Sequence, residues 1–132
     1  MTDRPIAPAS RLEESLRPLL EAPAVLGGLL SADDGILMAA ALRDGLDRES
    51  LAAAGARLGQ LSQARLEGEQ LDAAVLDGTR LRLVVCPVSL GYLTVLADPA
   101  GEIEPVLAAA REAKMTLERT IAGTAASPAA LD

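Results

Sequence analysis

The sequence predicts an α+β domain with antiparallel strands. Two short hairpins built on Asp-Gly turns, a run of three strand-like segments in the second half, and three stretches with apolar residues at helical spacing lead to that class. The strand-rich stretch Gln70–Gly101 is the part around which the rest is arranged. Leu71–Leu76 and Thr79–Cys86 flank Asp77-Gly78, the strongest short-range hairpin signal a sequence carries. Arg80 and Arg82 alternate with Leu81, Leu83 and Val85, which places one face of that strand in the core and leaves the start of the other in water. Pro87 is expected to stop the ladder and Val88–Gly91 to make the next turn, leading into Tyr92–Ala97, apolar on nearly every position as a central strand would be, and Asp98-Pro99 ends it.

The remaining elements follow in order. Residues 1–9 contain Pro5 and Pro8 and read as a flexible tail, so the domain is expected to span 10–123. Ser10-Arg11-Leu12-Glu13 has the capping-box pattern, and Leu12, Leu16, Leu19 and Leu20 form the stripe of a first helix that Pro18 kinks or shortens. Ala24–Leu30 and Ile36–Ala41 are strands joined by Ser31–Gly35, where Gly35 supplies the positive φ of the turn. Gly27-Gly28 inside the first of these indicates a bulge or a close backbone approach.

Asp47 caps a second helix that extends to about Arg65, with Leu46 and Leu51 as a hydrophobic staple. Its residues fall on two separated arcs. Leu51, Ala54, Leu58, Leu61 and Ser62 are expected to cover the sheet, whereas Ala52, Gly55, Ala56, Gly59 and Gln63 leave room for another backbone. A last helix carries Ile103, Val106, Leu107, Ala110, Leu117 and Ile121 and ends near Ala122 with Gly123 as its cap; 124–132 reads as a second flexible tail.

Composition limits the chemistry. A net charge of −7 is the wrong sign for a phosphate backbone or an anionic membrane, so neither nucleic acid nor a membrane is an expected partner. Cys86 is the single cysteine and histidine is absent, which removes a disulfide framework and the usual soft-metal sites and suits a reducing, cytoplasmic setting. With Arg in eleven of its twelve basic positions and abundant Ala, the chain has the composition of a GC-rich bacterial genome. No cofactor is expected.

The order helix, two strands, helix, three strands, helix resembles the Roadblock/LC7 family over Ser10–Gly123. Leu29-Leu30-Ser31-Ala32-Asp33-Asp34-Gly35-Ile36 is similar to its first hairpin, and Tyr92–Pro99 to its last strand and exit. The resemblance implies a five-stranded antiparallel sheet of order 2-1-5-4-3, with the long central helix on one face and the terminal helices on the other. It also implies a homodimer in which the edge strand pairs with its copy and the central helices lie side by side. The dimer interface is then expected at Leu71, Ala73 and Val75 of the strand and at Ala52, Gly55, Ala56 and Gly59 of the helix, so that Gly59→Leu would separate the subunits.

Three functional readings compete. By resemblance, the chain is a non-catalytic dimeric adaptor that binds and regulates a small Ras-like GTPase, through activation or scaffolding, at Arg48, Glu49, Arg57 and Gln60. It has no G-x-x-x-x-G-K-[ST] loop and so no means of holding the nucleotide itself. A PAS- or GAF-like small-molecule sensor is the alternative, disfavoured for heme or flavin by the absence of Phe, Trp and His. An enzyme is the weakest reading: Cys86 has no base near it in sequence, and Asp33 and Asp34 are better explained as turn formers than as metal ligands.

Overall fold

A computed structural model describes the backbone of residues 9–131 and the side chains of 9–123. Of the two expected tails, residues 1–8 and 132 lie outside the described residues. The elements are α1 (Ala9–Leu16), a 3₁₀ turn (Arg17–Glu21), β1 (Val25–Ala32), β2 (Leu37–Leu42), α2 (Arg48–Arg65), β3 (Ala74–Asp77), β4 (Arg82–Val88), β5 (Gly91–Ala97) and α3 (Ile103–Leu131). The five strands form one sheet of order β2-β1-β5-β4-β3, and all neighbours run antiparallel.

β5 lies in the middle of the sheet, which accounts for its lack of a polar face. Alternate residues point to opposite sides. Leu93 and Val95 join Leu30, Val84 and Cys86 under Leu12, Leu16 and Leu19 from the N-terminal helical segment and Val106, Ala110 and Leu117 from α3. On the other side Leu96 joins Leu29, Leu83 and Ala40 beneath α2. The fold is therefore a three-layer α+β sandwich with α2 alone on one face.

The hairpin β1–β2 forms as the residues dictate. Gly35 takes φ +90° and donates to the Ala32 carbonyl at 2.9 Å, and the Asp34 carboxylate accepts from the Ile36 N–H at 3.1 Å. Gly27 sits at φ +138° where the β1–β5 register slips, and a Cβ there would strike the Ala41 carbonyl.

Four expectations are corrected. Ser10 lies inside α1, and its hydroxyl makes no capping bond among the described residues. Pro87, expected to stop the ladder, instead pairs with Tyr92 inside β4, which runs on to Val88; Pro18 shortens α1 as expected, the chain continuing as a 3₁₀ turn because the proline ring cannot coexist with the preceding helical carbonyl. The second hairpin turns over Gly78–Leu81, closed by Gly78 N–H to the Leu81 carbonyl at 2.9 Å, with Asp77 paired to Arg82; Asp77-Gly78 is not a two-residue turn. Finally, α3 continues past Gly123 to Leu131, because the alanine-rich sequence that follows sustains the helix across the glycine.

Candidate interaction surface

The surface is built on α2 and on the free side of β3. Asp47 starts the helix: its carboxylate accepts from Ser50 N–H at 3.3 Å and from the Ser50 hydroxyl at 2.9 Å, and these bonds hold its pKa below 3.8. What α2 then buries is the reverse of the expectation. Ala52, Gly55, Ala56 and Gly59 are its buried residues, and they face the chain's own sheet. A Cβ on Gly55 would overlap the Thr94 side chain, and one on Gly59 would overlap the Tyr92 ring. The small arc thus has a partner within the same chain and cannot form the dimer contact assigned to Ala52, Gly55, Ala56 and Gly59. The Thr94 and Tyr92 side chains of β5 occupy the space beside Gly55 and Gly59, so the helix comes down over them at these two glycines.

The complementary arc is the open one. Leu61 is 55% exposed and Ala54 is exposed, while Leu51 and Leu58 are half-buried against Leu83 and Leu96. Arg48, Glu49, Arg57 and Gln60 are all exposed, as expected. Glu49, Arg57 and Gln60 fall on one flank of the helix at its 100° spacing, beside the β1–β2 turn, and Arg48 stands apart in the first turn. The Gln60 amide donates to the Asp33 carbonyl and ties that flank to the turn. Ile36, 64% exposed, projects beside it, and with Leu37 and Glu49 it lines a shallow hollow of about 310 Å³.

The strand edge is shorter than expected. Leu71 is 5% exposed and buried, Ala73 is half-buried, and neither belongs to β3. Gln63 of α2 holds the segment before β3: its side-chain carbonyl oxygen accepts from Leu71 N–H at 2.9 Å and its amide donates to the Glu69 carbonyl at 2.6 Å. Leu71 and Ala73 are therefore not on the pairing edge. Val75, 45% exposed, does lie on it, together with Leu76 at 50%. β3 pairs with β4 alone, so its outer N–H and C=O groups have no strand beside them. Leu76 pairs with Leu83 and so shares the α2 side of the sheet.

Sequence reasoning missed Ile36 and Leu61 as exposed apolar groups. The ordinary rule that large aliphatic residues face the core places both inside, and no local signal contradicts that rule. Arg82, expected in water, is 8% exposed and its guanidinium bonds the Asp77 carboxylate and the carbonyls of Gly101, at 3.0 Å, and Pro99, at 3.3 Å. Cys86 is 2% exposed, and burial pushes its thiol pKa above 9.0. Among the described residues there is no group of three or more His, Cys, Asp or Glu placed to hold a metal ion, and no helix long and apolar enough to cross a membrane.

No protein-family model and no curated protein matches the sequence. Solved structures do match the fold. The gliding protein MglB of Thermus thermophilus superposes with TM-score 0.74 at 21% identity, over 93% of this chain and 95% of that one. MglB of Myxococcus xanthus gives 0.75 at 17%, over 94% and 95%. A Roadblock/LC7 domain from Streptomyces avermitilis gives 0.67 at 19%, over 81% and 92%. The chain has the Roadblock/LC7 fold, with the sheet order and helix placement that the resemblance implied.

Proposed function

We propose that this protein is a Roadblock/LC7 family member that acts as a non-catalytic homodimeric adaptor, binding and regulating a small Ras-like GTPase by activation or scaffolding. The observation that carries the reading is the fold, shared along nearly the whole chain with two MglB proteins. The exposed flank of α2 supports it, because Glu49, Arg57 and Gln60 present charge and hydrogen-bonding groups beside the apolar Ile36, with Arg48 exposed further round the first turn. Charged rims around a small apolar centre are the usual anatomy of a reversible protein contact. The dimer is built on β3, whose open edge at Val75 and Leu76 would pair with its copy, and on the leucine side of α2 at Leu61, which takes the place of the glycine arc. A solved MglB has a tetrameric arrangement, which is consistent with self-association in this fold.

The test is to titrate the small Ras-like GTPases of the source organism, loaded with GDP or a non-hydrolysable GTP analogue, into the purified protein by calorimetry, and to measure their hydrolysis rates with and without it. Binding to one of them, weakened by Arg57→Glu, is the expected result. If none binds in either nucleotide state, the adaptor reading fails.

A further inference from the structure

The two faces of the sheet are covered unequally. On the face under α1 and α3, sixteen of the described residues form the buried core, and the helical segments bring Leu12, Leu16, Leu19, Val106 and Leu117 into it. On the α2 face the buried core is five residues, of which the helix itself supplies only Ala52. Leu51 and Leu58 add half-buried side chains, and the other buried positions of α2 are Gly55, Ala56 and Gly59. Hydrophobic stabilisation follows the apolar area removed from water, so α2 is the weakly held layer. The sheet beneath the second half of the helix is also polar. Ser31 stands across from Tyr92, and Thr94 follows two residues along β5 on the same side. The hydroxyls of Ser31 and Thr94 are fully buried, and no group among the described residues bonds either one. Both lose their hydration when α2 closes over them and recover it when the helix lifts. This half of α2 is fastened to the rest of the chain by two glutamine side chains: Gln60 donates to the Asp33 carbonyl, and Gln63 bonds Glu69 and Leu71.

We propose that α2 is a cap that undocks from the sheet as a unit, across Ser31 and Thr94, while the five strands, α1 and α3 stay folded. Glu49, Arg57 and Gln60 lie on this cap and Ile36 on the turn that Gln60 fastens, so a partner spanning both would bind the closed form and hold it shut. That consequence rests on the adaptor reading; the opening itself does not, and its test needs no partner. Amide hydrogen exchange of the full chain is followed by NMR at increasing low urea, with wild type and variants at one protein concentration. Amides in the interior of α2 should exchange roughly tenfold or more faster than those of β5, which open only with the whole molecule. Their exchange should also depend less steeply on urea, because lifting one helix exposes less surface than global unfolding. Thr94→Val, which removes one unbonded hydroxyl and keeps the shape, should slow exchange in α2 by roughly three- to tenfold. Amides of α2 that share the rate or the urea slope of β5 overturn the proposal, since the helix then opens only when everything does. An unchanged α2 rate in Thr94→Val overturns it as well, because the hydroxyl seam is then not what weakens the docking. Should Thr94→Val fail to fold, Ser31→Ala takes its place, with the same result expected and the same result fatal.

Discussion

Thr94 has no hydrogen-bond partner for its hydroxyl although it is fully buried, and Ser31 is in the same position. An orphaned buried hydroxyl loses its hydration with no return, so Thr94→Val, which keeps the shape, should raise stability by about 1 kcal/mol in urea unfolding. Arg82 is the opposite case, a buried polar group bonded to a carboxylate and two carbonyls. Arg82→Met would leave the Pro99 and Gly101 carbonyls without their donor and is expected to cost about 1–3 kcal/mol by the same measurement. Burial also holds the Cys86 thiol above 9.0 and, with a smaller push from Asp33, the Tyr92 phenol above 10.0. The unfolded chain releases these protons at the ordinary values while the folded chain keeps them. Their contribution is thus full below about pH 9 and lost as pH rises through the raised values. The urea midpoint should fall above about pH 9, and Cys86→Ala should delay the onset. Below that pH an aromatic disulfide reagent should label Cys86 only after unfolding.

At the scale of elements, α2 is held down by what it lacks. Gly55 and Gly59 each cost a helix about 1 kcal/mol relative to alanine, and here the cost is offset by close approach to Thr94 and Tyr92. Gly55→Ala returns that helix propensity but forces a methyl into the Thr94 side chain, and overpacking of about 1–3 kcal/mol outweighs it, so roughly 1 kcal/mol of net loss is expected. Gly59→Leu is more severe. The protein should unfold early in a thermal melt or fail to fold, where a glycine on a subunit contact would have left the monomer intact. Gln63 is the second device of α2, because it takes the backbone bonds of the segment before β3.

For the whole molecule, the two edges of the sheet differ. β2 has its middle residues Ala39, Ala40 and Ala41 at 6–8% exposure, while Val75 and Leu76 of β3 stand at 45% and 50%. One edge is covered by the chain itself and one is not, and an apolar uncovered edge is a pairing site. Light scattering at tens of micromolar is expected to give the mass of a dimer, and Leu76→Lys to give a folded monomer whose melting temperature no longer depends on protein concentration. A monomeric wild type would show that the edge is left open in solution.

Much of this was legible in the chain as written. The hairpin at Gly35, the bulge at Gly27, the cap at Asp47 and the central character of Tyr92–Ala97 are each decided by a few neighbouring residues, and local chemistry settled them. The sheet order entered only through the family resemblance, since strand neighbours across the chain leave no local trace. The orientation of α2 was not legible either. Its leucine arc and its glycine arc are both plausible inner faces, and the hydrophobic rule chose the leucines. The tertiary structure chose the glycines, because Tyr92 and Thr94 on β5, more than thirty residues downstream, occupy the space that leucine side chains would need. The same long-range reach buries Arg82, whose alternation reads as solvent-facing until the carbonyls of Pro99 and Gly101 are brought beside it.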